Sequence, residues 1–293
     1  MEGNPLVSVI INCFNGEEFL REAIDSVLAQ TYTHWEIIFW DNQSTDATAE
    51  IVKSYTDSRI RYYYAPNHTP LGEARNLAVE KTKGEYINFL DADDIWMPNK
   101  LEEQIKLIEP GVCEVVYSPF EIKLYRDRYI NKAMLHFLQK IKCYNPKASE
   151  VYKRLLHFNW IAFSSVLFNR KLYIEVGGVD PRFQQNEDLH LLIKCSLITK
   201  FGRTNNVNCI YRIHGGNNSN KIWRLGLDEN KMIFSELPDS KYVREAIRRN
   251  NTRIGFYLIT KDRKVKEGLT LLIKKGSLFE LFTLLFEKIC RYV

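Results

Sequence analysis

The chain has 293 residues, of which 45% are hydrophobic, and a formal net charge of +5. This length exceeds one average domain and predicts one large α/β unit with an appendage. The six cysteines include no Cys-x-x-Cys pair, and neither a signal peptide nor an apolar run of membrane-spanning length is found. We therefore expect a cytoplasmic protein with reduced thiols, in which any membrane contact is peripheral.

The N-terminal residues predict a β-α-β unit. Residues 7–11 are typical of a buried strand, and residues 36–40 of a second one. Apolar residues recur at helical spacing between Phe19 and Leu28, and Asn15 and Glu18 are placed as a capping box for that helix.

Polar residues follow the predicted strands. The second strand runs into Asp41–Asp46, where Ser44 or Thr45 is placed to cap the next helix. A third strand, residues 85–90, ends in the acidic turn, residues 91–94 (Asp-Ala-Asp-Asp). Taken alone, this sequence is also typical of an ordinary polar turn. Because ligands of open α/β sheets bind at the carboxyl ends of strands, we expect one nucleotide-sized crevice, with carboxylates suited to a divalent cation and a phosphate ester.

The ordered set of motifs resembles glycosyltransferase family 2, whose members have the GT-A fold. The resemblance covers roughly residues 5–220; no single motif is specific, but the ordered set is. The motifs are VSVIINCFNG (7–16), SVLAQTY (26–32), DNQSTD (41–46), GEARN (72–76), DADD (91–94), GGVD (177–180), NED (186–188) and YRIH (211–214).

The resemblance implies an α/β protein with a mostly parallel central sheet flanked by helices. Residues 1–220 would form the GT-A catalytic domain, with a donor-binding half at about 1–117 and an acceptor-binding half at about 118–220. Residues 221–293 would form a basic, helical C-terminal region. The implied reaction is inverting transfer of a sugar from a nucleotide-diphospho-sugar to a hydroxyl of a glycan or lipid-linked saccharide, in surface polysaccharide biosynthesis. Mn²⁺ or Mg²⁺ is the implied cofactor.

The resemblance also implies roles on the donor side. Asp93 would be a metal ligand, and Asp91 would contact the ribose or a metal-bound water. His214 would contact the diphosphate or act as a further metal ligand. Arg75 would contact the donor phosphate or base, with a salt bridge to a nearby acid as the alternative. Asp94 is expected to be structural rather than catalytic.

The nucleobase end is expected to involve Asn12, Phe14, Asn15, Asp41 and Asn42. Many uridine-binding relatives carry two consecutive Asp residues where this chain has Asp41-Asn42, and Phe14 replaces a frequent Tyr. An Asn amide still donates and accepts hydrogen bonds but carries no charge, and a Phe ring can only stack. We expect uracil first, thymine second and guanine third.

On the acceptor side, the resemblance implies Asp188 as the general base and Glu187 as its orienting or acceptor-binding neighbour. The structural alternative is favourable acidic charge at a helix N-terminus. Residues 118–158 follow no recognisable pattern, as is usual for acceptor loops. Trp160 is expected in the core rather than stacked on a sugar.

The C-terminal residues are strongly basic. Residues 241–293 contain 13 Lys and Arg against 5 Asp and Glu, a net charge of +8, so the preceding residues carry −3. Without zinc spacing or an RNA-recognition motif, nucleic acid is not the expected partner. Residues 277–292 predict an amphipathic helix that binds an anionic membrane surface, its own domain or a second copy in a homodimer.

Two alternative functions stay open from the sequence. A polyprenyl-phosphate sugar transferase would use phosphate as the attacking group, although it would usually carry stronger membrane segments. A nucleotide-sugar-binding subunit without activity is disfavoured because both Asp93 and Asp188 are present. A dinucleotide-dependent oxidoreductase is disfavoured because no Gly-x-Gly-x-x-Gly follows the first strand.

Overall fold

The computed structural model describes residues 4–125, 146–216, 223–261, 263–277 and 281. The chain divides into two compact units. The first unit comprises Met1–Tyr152 with Trp160–Gly216, and the C-terminal unit comprises Lys153–Asn159 with Asn217–Val293. The predicted domain boundary at residue 220 and the donor and acceptor halves stay predictions.

The first unit is built on a seven-stranded sheet with the order β3-β2-β1-β4-β8-β6-β9. Neighbours are parallel except at β8, which runs antiparallel to both β4 and β6. The predicted α/β fold with a mostly parallel central sheet is confirmed. The strands are β1 (Val7–Cys13), β2 (Trp35–Asp41), β3 (Ile60–Tyr64), β4 (Tyr86–Phe89), β5 (Ile95–Trp96), β6 (Cys113–Tyr117), β7 (Phe120–Leu124), β8 (Val166–Asn169), β9 (Lys200–Arg203) and β10 (Cys209–Ile213).

Helices connect and cover the strands. Within the described residues they are α1 (Leu20–Leu28), α2 (Thr48–Lys53), α3 (Leu71–Val79), α4 (Lys100–Ile105), α5 (Val151–Leu155), α6 (Arg170–Glu175), α7 (Glu187–Ile198), α8 (Trp223–Glu236), α9 (Lys241–Thr260) and α10 (Val265–Lys275). Short 3₁₀ turns lie at Ala148–Glu150 and Phe163–Ser165.

The strand register places the polar strand ends side by side. Val9 of β1 pairs with Ile37 of β2 and with Asn88 of β4, all in parallel. Strands β1 and β2 are almost entirely buried, as expected for parallel strands covered on both faces. The carboxyl ends of β1, β2 and β4 therefore meet at one edge of the sheet, where the predicted crevice lies.

A second, three-stranded sheet has the order β5-β10-β7. Strand β5 follows the acidic turn directly, and it pairs with β10 through Trp96 and Cys209. This pairing explains how His214, which directly follows β10, reaches the acidic turn from far along the chain.

The predicted helix caps are wrong. Helix α1 begins at Leu20 after an N-cap Phe19 without a side-chain cap bond, so the Asn15–Glu18 capping box is absent. Helix α2 has Ala47 as its N-cap, also without a side-chain cap bond. Asn15, Ser44 and Thr45, which were expected to cap these helices, instead join the loop after β1 to the loop after β2.

In the C-terminal unit, α9 and α10 pack closely through two glycines. A Cβ atom placed on Gly268 would lie 2.6 Å from the carbonyl oxygen of Gly255, so the contact requires a residue without a side chain. The predicted helix at 277–292 lies outside the described residues, apart from Ser277 and Leu281. In the described part of the chain, no helix combines the length and apolarity required to cross a membrane.

Candidate active site

The acidic turn is held by a buried hydrogen-bond network. The backbone N–H of Asp91 donates to Ser164 Oγ (3.1 Å), and that hydroxyl donates to Asp94 Oδ2 (2.6 Å). The other oxygen of Asp94 accepts from the backbone N–H of Arg212 (3.0 Å). Asp94 is only 1% exposed, and burial together with the charges of Asp93 and Asp91 raises its pKa well above the usual range. These contacts agree with the structural role expected for Asp94.

Asp93 and His214 form a pair at the end of the network. His214 Nε2 lies 2.9 Å from Asp93 Oδ2, which brings the end of β10 against the acidic turn. Burial and the nearby charge of Asp91 raise the pKa of Asp93, although contact with His214 works in the opposite direction. The structure therefore brings together all three of the predicted metal-site residues in one region.

Arg75 links the acidic turn to Glu187, the neighbour of the predicted base. Its Nη2 donates to Asp91 Oδ1 (2.9 Å), and its Nη1 donates to Glu187 Oε1 (3.0 Å). The guanidinium is buried and lies over the ring of Phe163, 4.4 Å from the centroid. The salt bridge that the sequence allowed as an alternative is present on both sides of Arg75. A contact from Arg75 to the donor stays a prediction.

Glu187 and Asp188 begin helix α7. Burial raises the pKa of Glu187 to about 7, in spite of the opposing charge of Arg75. The Glu187 Oε2 atom is buried and has no hydrogen-bond partner among the described residues. Asp188 is half-buried, and its Oδ1 accepts from the backbone N–H of Leu189 (2.6 Å). The two adjacent carboxylates therefore differ in environment, because Glu187 is buried in an ion pair with Arg75 and Asp188 is partly exposed.

At the nucleobase end, Asn15 joins two loops. Its Oδ1 accepts from the backbone N–H of Thr45 (2.8 Å), and its own N–H donates to Ser44 Oγ (3.0 Å). Its φ of 54° lies in the left-handed region, where Asn is better tolerated than most residues. Asn15 thus fixes the loop after β1 to the loop after β2; its donor contact stays a prediction.

Asp41 and Asn42 also have internal partners. Asp41 Oδ1 accepts from the backbone N–H of Ser44 (2.7 Å), and Oδ2 accepts from the Tyr62 hydroxyl (2.7 Å). Asn42 Nδ2 donates to the Thr69 carbonyl (2.7 Å), while its Oδ1 accepts from the Thr69 N–H (3.2 Å). Both side chains therefore organise the walls of the crevice, and their predicted role as direct base contacts stays untested.

Asn12 and Phe14 lie at the carboxyl end of β1 and in the loop that follows it. Both amide atoms of Asn12 are buried without a hydrogen-bond partner among the described residues. Phe14 is 53% exposed and packs edge-on against His68 at 4.5 Å between ring centroids. An exposed aromatic ring beside a polar strand end suits a stacking contact with a base.

Sequence reasoning missed several residues that shape this site. Ser164 accepts a hydrogen bond from the backbone of the acidic turn and donates one to Asp94. The Tyr62 hydroxyl donates to Asp41, and His68 packs against Phe14. Their partners are distant in the chain, so no local spacing indicates them. Trp160 is 1% exposed, in agreement with its expected place in the core.

The residues of the acidic turn fit a divalent cation that is shared with a phosphate ligand. The close carboxylates of Asp91 and Asp93 repel each other, and a cation would relieve this repulsion. No cluster of three or more His, Cys, Asp or Glu side chains with metal-binding geometry occurs in the described parts of the chain. The protein would therefore supply one or two carboxylate ligands and the donor diphosphate the others, as is common for Mg²⁺.

Comparison with solved structures defines the class of protein. The fold is similar to that of S. aureus TarS 1–349 in complex with UDP-GlcNAc, with a TM-score of 0.65 at 16% identity over 91% of this chain and 79% of that one. It is also similar to the mannosyltransferase PcManGT from Pyrobaculum calidifontis in complex with GDP-Man and Mn²⁺, with a TM-score of 0.65 at 18% identity over 100% of this chain and 82% of that one. The protein has the GT-A glycosyltransferase fold.

Sequence comparison gives the family. The profile of glycosyl transferase family 2 matches residues 8–177. A relative from Escherichia coli, the UDP-Glc:alpha-D-GlcNAc-diphosphoundecaprenol beta-1,3-glucosyltransferase WfgD, is 39% identical over 204 residues, which is 70% of this chain and 74% of WfgD. The chain belongs to glycosyl transferase family 2, and the resemblance seen in the sequence is confirmed.

Proposed function

We propose that this glycosyltransferase moves a hexosyl group from a UDP-sugar to a hydroxyl of a lipid-linked saccharide, with inversion, during surface polysaccharide synthesis. The observation that carries the proposal is the double ion pair of Arg75. One guanidinium contacts both Asp91 of the acidic turn and Glu187, the neighbour of Asp188. A donor diphosphate at the acidic turn would therefore lie close to a candidate base.

The donor end of the reaction rests on the acidic turn. Asp93 and Asp91 would hold Mn²⁺ or Mg²⁺, which supplies positive charge to the leaving nucleoside diphosphate. His214 Nδ1 accepts from the backbone N–H of Gly216 (3.2 Å), so its Nε2 carries the proton and donates to Asp93 Oδ2, which orients this carboxylate; a contact of His214 with the diphosphate stays a prediction. The buried network of Ser164 and Asp94 keeps these groups in position when the donor enters.

The acceptor end rests on Asp188. Its carboxylate accepts the proton of the acceptor hydroxyl while that oxygen forms a bond to the anomeric carbon, and the bond from this carbon to the diphosphate oxygen breaks. The single displacement inverts the anomeric configuration. Glu187 keeps Arg75 in place from the other side and thereby orients the start of α7.

The substrate class follows from the relatives and from the nucleobase end. WfgD, at 39% identity, is named for a UDP-Glc donor and a diphosphoundecaprenol-linked acceptor. The solved TarS complex contains UDP-GlcNAc. Phe14 offers an exposed ring for stacking, and Asn12 offers an amide that can both donate and accept. The donor named for WfgD supports uridine, whereas Phe14 and Asn12 suit stacking and hydrogen bonding to a base without selecting among bases.

The test is transfer of labelled glucose from UDP-glucose to a GlcNAc-diphospho-lipid in the presence of Mn²⁺. Asp188→Asn should lower kcat by about 10²- to 10⁴-fold, the usual range for loss of a general base. It should keep its stabilisation by UDP, because the donor site is unchanged. Glu175→Gln, on the exposed end of α6, is the matched control and should keep full activity. Unchanged transfer by Asp188→Asn would refute the assignment of the base.

The same assay separates the alternatives. Product formed from polyprenyl phosphate, but not from the saccharide-linked lipid, would identify a polyprenyl-phosphate sugar transferase. Stabilisation by UDP without transfer to either acceptor would favour a binding subunit. Asp93→Ala should abolish the Mn²⁺-dependent part of UDP binding, and persistence of that part would contradict the proposed metal site.

A further inference from the structure

Helix α10 presents an apolar stripe that no described residue covers. The stripe consists of Val265, Leu269 and Ile273, spaced by four residues along one side of the helix. Their exposed fractions are 50%, 46% and 82%, respectively. Exposure of three large aliphatic side chains to water in one row is unfavourable in free energy, and contact with an apolar environment would remove this cost.

The contacts of α10 show that the stripe borders the side of the helix that packs on α9. Gly268 is buried against the backbone of Gly255, and Leu272 also lies next to Gly255. Helix α10 therefore uses its glycine side for packing within the C-terminal unit. The stripe lies beside that packed side, and its three side chains are exposed in the described part of the C-terminal unit.

Basic residues surround the stripe. Residues 261–275 contain six Lys and Arg against two Asp and Glu, a net charge of +4. Lys264 and Lys266 lie near the start of the stripe, and Lys274 and Lys275 lie at its end, all of them exposed. An exposed apolar row with flanking lysines is the pattern of a helix that rests in the interface of a bilayer with anionic lipids.

We propose that α10 is a docking surface for an anionic lipid bilayer, with the stripe inserted among the acyl chains and the lysines against the headgroups. A second copy of the chain fits this surface less well. A two-fold dimer would place the same positive charges opposite each other, and three side chains offer much less area than a stable interface requires. The proposed surface lies before residues 277–292, the segment predicted from the sequence, and it does not depend on the transfer reaction.

The test is sedimentation of the full chain with vesicles of phosphatidylcholine alone or with added phosphatidylglycerol. We expect the wild type to bind the anionic vesicles about tenfold more tightly, and we expect binding to weaken as salt is added. Leu269→Ser/Ile273→Ser should lower this affinity by about tenfold because it removes the apolar row. Lys274→Gln/Lys275→Gln should lower it by a similar factor, about tenfold.

Ile174→Ser is the matched control. Ile174 is 54% exposed on α6 of the first unit and should bind vesicles like the wild type after substitution. Stabilisation by UDP verifies that each variant is folded and keeps its donor site, so a failure of lipid binding is distinct from a failure of the proposed reaction. Equal binding to both vesicle types, or undiminished binding by Leu269→Ser/Ile273→Ser, would overturn the proposal. A loss of dimer in that variant by analytical ultracentrifugation would also overturn it, in favour of a second copy.

Discussion

Arg75 is a buried cation, and its ion pairs with two carboxylates offset the free-energy cost of that burial. Taking a guanidinium out of water costs several kcal/mol, of roughly the same order as the attraction to well-placed partners. Asp91 and Glu187 provide such partners, at 2.9 and 3.0 Å. Phe163 covers the face of the guanidinium. Arg75 is therefore a structural bridge, and its contact with the donor stays a prediction.

The first prediction concerns this bridge. Arg75→Met keeps much of the volume but leaves Glu187 buried without its cation, so the free energy of unfolding should fall by about 3–5 kcal/mol. Urea denaturation measures this change. Arg244→Met is the control, since its ion pair with Asp239 is 60% and 75% exposed. The control should lose less than about 1 kcal/mol.

A double substitution tests whether the loss comes from the unpaired carboxylate. Glu187→Gln removes the buried charge, so Arg75→Met/Glu187→Gln should be more stable than the sum of the single changes by about 1–3 kcal/mol. Additive effects would mean that the two residues are not coupled in the folded protein.

At the scale of elements, loops rather than strands decide the shape of the crevice. The segment after β3 is tied to Asn42 through Thr69, and the loops after β1 and β2 are tied through Asn15. Each tie joins segments at least 27 residues apart. The crevice walls are consequently fixed before any donor enters, which lowers the entropic cost of binding.

The second prediction tests the tie at Asn42. Asn42→Asp removes the donor to the Thr69 carbonyl and places a carboxylate oxygen against it, which should cost about 1–3 kcal/mol of stability. UDP affinity should fall as well, because the segment no longer holds its position. Asn67→Asp, the same change at an exposed position of that segment, is the control and should have little effect. Thermal denaturation with and without UDP measures both the stability and the UDP affinity of each variant. Equal stability of the two variants would contradict the role of the hydrogen bonds between Asn42 and Thr69.

The third prediction concerns the packing of α9 and α10. Alanine favours a helix over glycine by about 1 kcal/mol, so Gly268→Ala would stabilise an isolated helix. In the folded chain, the new Cβ would meet the Gly255 carbonyl at 2.6 Å and Ile259 Cγ1 at 2.5 Å. We expect a net loss of about 1–3 kcal/mol, measured by urea denaturation followed by far-UV circular dichroism. Thr270→Ala, on the exposed side of the same helix, is the control, and a gain of stability by Gly268→Ala would contradict the close packing.

At the scale of the whole molecule, stability depends on pH through Glu187. Its pKa is raised from 4.5 to about 7 in the folded state, chiefly by burial. Between these values the folded protein binds the proton more strongly than the unfolded chain does. The contribution of Glu187 is therefore most favourable below the unfolded pKa, and it declines as pH rises toward the folded pKa.

The fourth prediction follows from this sign. The free energy of unfolding should fall by up to about 3 kcal/mol between pH 4.5 and 7 through Glu187, and by no further amount above pH 7. Glu187→Gln cannot titrate and should show a smaller decline than the wild type over the same interval. Urea denaturation of both proteins at several pH values gives the difference between the two curves. Parallel curves would show that Glu187 is not the group responsible.

The sequence alone predicted the fold class, the family and the strands β1, β2 and β4, but it did not indicate β3 (Ile60–Tyr64) or the order of the strands in the sheet. Buried strands are apolar on both faces, so residues 7–11 of β1 and 36–40 of β2 were visible as near-continuous apolar runs, and the polar residues after them marked the crevice. The acidic turn was found in the same way, whereas the pair at 187–188 was assigned from the family resemblance. Local spacing was sufficient for these features because it reflects the strand, helix and turn in which each residue lies.

Only the tertiary structure decided which side chains form hydrogen bonds and ion pairs with one another. Asn15 fits a helix cap by spacing, but in the fold it meets Thr45 across two loops. Arg75 and Glu187 are 112 positions apart and Ser164 and Asp94 are 70 apart, so no local pattern indicates either pair. The side chains of the α10 stripe differ in exposure from Gly268 only because α9 packs on one side of the helix. Long-range packing determines the partners, the burial and the pKa of each side chain. These properties depend on distances between residues in the fold, which cannot be read from the sequence.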